Sequence, residues 1–195
     1  MDIETTLNKI DNALIEYYPI EDFNNLDEKI KTELLLKVSS TESNSKITKE
    51  KLEQEKLKYF NENATLIYKS FETEEYSFEY NDGYEITGKE VNDFYIVSKT
   101  TREYFDDNNN WIVERNIYFT DETTLPNLYP QRVYKTIEDA RNKTNEIYTI
   151  NSKEEDLTND DNYNKIKDQL TKYKYTLKRD NDIYKVISIE KIDNE

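Results

Sequence analysis

The chain has 195 residues, among them no cysteine, no histidine, two glycines, three prolines and one tryptophan. Without cysteine there are no disulfides, thiolate metal sites or cysteine nucleophiles, and a reducing compartment is compatible. Without histidine the commonest metal ligand and the commonest general base near neutral pH are missing, and zinc sites of the usual kinds are excluded. Gly83 and Gly88 lie five residues apart in strand-like surroundings with no following Lys-Ser/Thr, so a glycine-rich phosphate loop is excluded. No apolar run approaches the roughly 20 residues that span a bilayer. The start, Met1-Asp2-Ile3-Glu4, lacks the basic and apolar regions of a signal peptide. A cytoplasmic protein with no membrane partner is expected.

What is present is charge and tyrosine. Apolar residues make up 35% and charged residues 35%, close to disorder-prone composition, but 17 Tyr beside seven Phe supply bulk for a core with amphipathic edges. The excess of Asn, Lys, Ile, Tyr and Glu over Gly, Pro and Ala is the bias of an AT-rich genome. The net charge of −15 repels nucleic acid and anionic membranes and favours basic partners.

Apolar residues at Ile3, Leu7, Ile10, Leu14 and Tyr17 form one helical stripe over residues 2 to 18, stopped by Pro19. Phe23, Leu26, Ile30 and Leu34, with Leu35, Leu36 and Val38, predict a second helix. Ser39 to Ser45 is a loop, and Lys46 to Asn63 a charged third helix with a thin apolar face of Ile47, Leu52, Leu57 and Phe60. The pairs Lys49/Glu53 and Lys51/Glu55 stand at i,i+4 in it.

From Thr65 the period becomes two. Leu66-Ile67-Tyr68 is expected as a strand, followed by Tyr76 to Tyr80, a turn at Asn81-Asp82-Gly83, and Tyr84 to Ile86. Phe94 to Phe105 and Trp111 to Thr120 form a longer hairpin across Asp106-Asp107-Asn108-Asn109-Asn110. Trp111 is expected as a core anchor of that hairpin. After the loop with Pro126 and Pro130, Thr136-Ile137-Glu138-Asp139 opens a helix with Ile137, Ala140, Thr144 and Ile147 inward. A short helix with Tyr163, Ile166 and Leu170 leads to a terminal hairpin, Lys172 to Lys178 and Ile183 to Ile192, whose run Tyr184 to Ile189 is apolar on both faces and predicts a central strand. The fold class is α+β: a helical N-terminal part (1–63), then a mainly antiparallel sheet with one or two packed helices and a C-terminal β-hairpin (64–195). The loop at Ser39 to Ser45 is the alternative boundary.

Candidate chemistry is thin. Asp106-x-Asn108-x-Asn110 begins like a calcium loop, but the sixth position is Trp111 where Gly is needed and the twelfth is Ile117 where Glu is needed. Acidic pairs could hydrolyse glycosides or hold magnesium, but 42 acids make chance pairing certain. No enzyme, cofactor or metal site is assigned.

The acids are unevenly spread. Residues 64 to 90 carry seven acids against two bases, and Glu72, Glu74, Glu75, Glu79, Asp82 and Glu85 alternate there with Tyr76, Tyr80 and Tyr84. Same-face carboxylates on a strand stand roughly 6.7 Å apart, the scale of successive phosphates. A row of them would mimic nucleic acid and fill a basic groove, while the bland alternative is a solvated sheet face. Glu154, Glu155, Asp156, Asp160 and Asp161 form a second candidate surface, or else a polar loop ending in a helix N-cap.

Small size, strong acidity and absent catalytic residues together look like the acidic inhibitors that phages and other mobile elements direct against host nucleases. The resemblance is one of composition, and no motif carries it. It implies a protein-binding inhibitor whose partner is a basic nucleic-acid-binding protein, such as a CRISPR effector or a restriction nuclease, with no direct nucleic-acid binding. The alternatives are an assembly module that forms a homodimer through the N-terminal stripe, and a carboxylate/metal-dependent enzyme.

Overall fold

The structure, a computed structural model, describes residues 2–40, 46–89, 93–121 and 128–193. The loop expected over Ser39 to Ser45 starts later than expected, because Ser39 and Ser40 are helical; its remainder, residues 41–45, and the loop at Pro126 lie outside the described residues.

The N-terminal stripe forms α1 (Ile3–Leu14), capped by the Asp2 side chain, and then tightens into a 3-10 turn, Ile15–Tyr17. Tyr18 is extended, as the residue before Pro19 must be. Leu7, Ile10 and Leu14 are fully or almost fully buried against α2 (Glu28–Ser40). α2 is more enclosed than its pattern predicts, with Leu34, Leu35 and Leu36 all at 0% exposure beside buried Lys31, Thr32 and Glu33. Phe23 stands outside it, in a separate 3-10 turn, and stacks on Phe60 at 5.4 Å.

The third helix is shorter than expected: α3 spans Lys49–Tyr59, with Thr48 as N-cap. Ile47 instead makes an isolated bridge with Tyr84. Leu57, expected on the apolar face, is 50% exposed. Leu52 and Tyr59 are the buried apolar residues of α3, and the helix packs on α2. Ion pairs at i,i+3 join Lys56 to Glu53 and Lys58 to Glu55.

Residues 66–68 form no strand. The Ile67 backbone is satisfied by side chains: Ile67 N donates to Thr32 Oγ1 (3.1 Å), and Tyr84 OH donates to Ile67 O (2.7 Å). The first strand is β1 (Phe71–Glu72), followed by β2 (Tyr76–Tyr80) and β3 (Tyr84–Gly88), an antiparallel meander in that order. The turn needs Asp82 at φ 53° and Gly83 at φ 135°, and a Cβ at 83 would come within 3.0 Å of Ile47 O.

A second sheet contains β4 (Phe94–Phe105), β5 (Trp111–Asp121), β6 (Gln131–Tyr134), β7 (Tyr148–Ile150), β8 (Thr171–Asp180) and β9 (Ile183–Ile192). The order is β7-β6-β5-β8-β9, with β4 also paired to β5. The short β6 and β7 were not expected, because four and three residues leave no readable alternation. The run expected as a central strand ends the order as β9; its outer side is met by Ile20, which exchanges two 2.8 Å backbone hydrogen bonds with Ile189. The helix at Thr136 opens as expected, with Thr136 capping Asp139 N, but α4 ends at Asn142 because Lys143 turns left-handed (φ 54°). Thr144 and Ile147 lie beyond it. α5 (Asp160–Tyr163) is one turn, continued by a 3-10 turn at Lys167–Gln169, and buries Tyr163, Ile166 and Leu170.

Two compact units emerge, Met1–Val91 with Phe105–Trp111 and Thr176–Ile189, and Asn92–Tyr104 with Ile112–Tyr175 and Glu190–Glu195. Residue 63, where helical and sheet parts were divided, falls inside the first. The second has a core of Tyr118, Val133, Ile150, Leu157, Tyr163, Ile166 and Leu170. The chain is an α+β protein with mainly antiparallel sheets. No described helix is long and apolar enough to cross a membrane.

Candidate functional site

The β2–β3 register places Phe78 opposite Ile86, Tyr80 opposite Tyr84, and Glu79 opposite Glu85. Alternation then separates the two chemistries that the sequence interleaves. Tyr76, Phe78, Tyr80 and Tyr84 share one face, whose rings meet at 4.9 Å (Tyr80/Tyr84) and 6.0 Å (Tyr76/Phe78), with Phe78 and Tyr84 fully buried. Burial pushes the Tyr84 hydroxyl up to about 12. Tyr76 is half-buried under Lys37 Nζ, 5.1 Å from its ring centre, and Lys37 is held by Glu33 at 2.7 Å. Tyr80 also tilts against Tyr68. These tyrosines face the interior of the unit rather than the acidic side.

The other face carries Glu79 and Glu85, both exposed and directly opposed. Opposed residues have Cβ atoms roughly 5 Å apart, a position where like charges destabilise the pair. Among the described residues neither carboxylate has a hydrogen-bond or ion-pair partner, and neither does Asp82 at the turn beside them. The row is not continuous, because Ser77 and Thr87 occupy the next opposed position. Glu72 lies beyond, opposite Ser77, and is paired with Lys89, whose hydrogen bond and charge lower its pKa. Lys89 Nζ also reaches Thr73 O at 3.1 Å. Glu74 is exposed and Glu75 half-buried in the turn between β1 and β2.

The second acidic segment belongs to the other unit, and its side chains mostly serve local structure. Glu155 Oε2 accepts from Asn151 N (2.8 Å) and Nδ2 (3.0 Å), which hold its pKa down. Asp156 Oδ1 accepts from Thr158 N (2.7 Å). Glu154 is exposed, its pKa lowered by the Ser152 hydroxyl. Asp160 pairs with Lys99 at 2.7 Å, and the same ammonium lies 4.0 Å from the centre of the Tyr163 ring. Asp161 is exposed at the start of α5. A built turn with a capped helix accounts for most of this segment.

Two groupings escaped the sequence. Asp121 gathers Arg132 (N at 3.0 Å, Nε at 3.1 Å) and Lys143 (2.8 Å), and Lys143 also reaches Asp93 at 3.0 Å. Burial alone would raise the Asp121 pKa, but the hydrogen bonds from Lys143 and Arg132 outweigh it and the net shift is downward. The second is aromatic. Trp111, expected in the core, is half-buried beside Phe105 and Tyr184. The placement of Phe105 and Trp111 on either side of one turn was the available signal.

Among the described residues no three acids are grouped so as to hold a metal ion. In the Asp106 turn the carboxylate accepts from Asn108 N, Asn110 N and Asn110 Nδ2 at 2.8–3.0 Å, the arrangement of a hairpin turn. Compared with known families, curated proteins and solved structures, the chain matches no family model, no curated protein and no solved structure.

Proposed function

We propose that this chain is a non-enzymatic, cytoplasmic binding protein that occludes a basic, nucleic-acid-binding partner, with a CRISPR effector or restriction nuclease as the partner class. The observation that carries the reading is the opposed pair Glu79/Glu85 beside Asp82, exposed and without counter-ions among the described residues. Opposed like charges cost folding free energy, and a cationic partner offsets that cost on binding. The net charge of −15 adds long-range attraction to the same class of partner. The interrupted row supports charge occlusion more than close imitation of a phosphate ladder.

The assembly reading is weaker on this structure, since Leu7, Ile10 and Leu14 are consumed in the chain's own core. The test is DNA cleavage by a panel of purified RNA-guided and restriction nucleases titrated with the chain. Inhibition is expected for at least one, relieved by raising salt and abolished by the double variant Glu79→Lys/Glu85→Lys. If that variant inhibits as well as the parent, or no nuclease responds, the proposal fails.

A further inference from the structure

The rings of Phe105, Trp111 and Tyr184 meet where two hairpin turns come together within the first unit. Phe105 and Trp111 close the β4–β5 turn and stack at 6.3 Å, and Tyr184 stands edge-on to Trp111 at 5.1 Å and 6.4 Å from Phe105. The group is not sealed: Phe105 is 56% exposed and Ile183 is 44% exposed.

Both turns are internally braced, so the rings sit on a preformed support. Three hydrogen bonds to the Asp106 carboxylate hold the first. In the second, Arg179 Nε donates to Asn181 O (3.0 Å), and Lys185 Nζ is held by Asp180 (2.7 Å) and Phe60 O (2.9 Å). A rigid aromatic surface loses little conformational entropy on binding.

What the group lacks is a cation. Elsewhere the chain lays its own cations over its rings: Lys37 on Tyr76, Lys49 on Tyr68, Lys99 on Tyr163 and Arg102 on Tyr104. No cation of the described residues covers Phe105, Trp111 or Tyr184, and the nearby Arg179 and Lys185 are engaged as above. Carboxylates stand close to the rings in the chain, Asp107 two residues from Phe105 and Asp182 two residues from Tyr184. Asp107, in the same turn as Phe105, is exposed with no partner among the described residues, and Asp182 is fully exposed with only Arg179 at 3.7 Å. An exposed ring without a cation of its own, close in the chain to the partner-free Asp107 carboxylate, is the chemistry that receives a guanidinium, which stacks on a ring and pairs with a carboxylate at once.

We propose that the Phe105/Trp111/Tyr184 cluster is a docking site for an arginine-bearing segment of a cationic protein. The inference rests on the preceding reading only in taking the partner to be basic, and it adds a second contact surface to the Glu79/Glu85 face.

Trp111 is the only tryptophan, so its fluorescence reports this site alone. The full chain is titrated with an eight-residue peptide alternating arginine and serine, and with its lysine counterpart. The expected result is a saturable change in Trp111 emission, with the arginine peptide binding about threefold to fivefold tighter than the lysine peptide. Phe105→Ala, at an exposed position and checked for native circular dichroism, weakens binding by at least a similar factor, and Asp107→Asn weakens it while leaving the rings in place. Absence of an emission change overturns the proposal, as does a response that Phe105→Ala leaves intact or one in which the lysine peptide binds equally well. The variant Glu79→Lys/Glu85→Lys separates the two surfaces. It is expected to keep the Trp111 response while losing nuclease inhibition, and loss of the Trp111 response in a folded variant would overturn a separate aromatic site.

Discussion

Asp121 shows how a single carboxylate can hold several elements in register. It ends β5, accepts from the backbone and side chain of Arg132 on β6, and binds the Lys143 ammonium just past α4. Replacing it with Asn leaves two cations facing a neutral amide, and Asp121→Asn is expected to lower stability by about 2 kcal/mol in urea unfolding. The pH dependence has a definite sign. The native pKa lies below the ordinary 3.8, so the contribution is complete above that value and is lost as pH falls through the lower native pKa. The parent should therefore lose stability below about pH 4 with a steeper slope than Asp121→Asn. Glu79 and Glu85 stand directly opposed on the ladder, where like charges destabilise the pair. Neutralising both as Gln is expected to raise stability by about 0.5 kcal/mol while weakening nuclease inhibition. A stability loss in thermal unfolding would show that an intrachain cation holds them.

At the scale of elements, the segment before β1 depends on borrowed hydrogen bonds. Thr32 Oγ1, on a fully buried residue of α2, accepts from Ile67 N, and the single Tyr84 O–H donates to Ile67 O, with Lys69 O a longer second acceptor at 3.1 Å. Thr32→Val and Tyr84→Phe each leave a backbone group unsatisfied, and each should cost about 1–2 kcal/mol. Hydrogen exchange should show residues 66–69 opening first in both variants; a protection pattern unchanged there would mean that the segment is held by burial alone. The N-terminal helix makes a different prediction. Leu14 has no exposed surface, so Leu14→Ala should cost about 3 kcal/mol through lost burial and a cavity. Sedimentation of the parent and of this variant under native conditions should give the same mass, whereas a dimer lost on truncating the side chain would restore the assembly reading.

For the whole molecule the dominant quantity is the charge of −15 on 195 residues. Self-repulsion destabilises the compact state, and salt screens it over roughly 8 Å at physiological strength. Raising salt from about 20 to about 500 mM should therefore raise the unfolding midpoint by a few degrees while it weakens capture of a basic partner; a midpoint that falls would place intrachain ion pairs above repulsion. The α+β class, the α1 stripe, both long hairpins and the Asn81-Asp82-Gly83 turn were legible in the sequence, because periodicity and turn chemistry are local properties. So were the missing histidine, cysteine and clustered glycine, and the chemistry their absence excludes. The linear order of residues 72 to 85 shows carboxylates among tyrosines. Ladder register sends the tyrosines inward, sets Glu79 against Glu85, and interrupts the row at Ser77. Pairing between distant segments likewise places β9 at the end of its sheet beside Ile20, strips residues 66–68 of a ladder, and brings Tyr184 to Phe105 and Trp111. Composition determines the sign and size of the net charge, but which carboxylates stay without an intrachain partner is set by contacts between residues far apart in the chain, which local pattern does not encode.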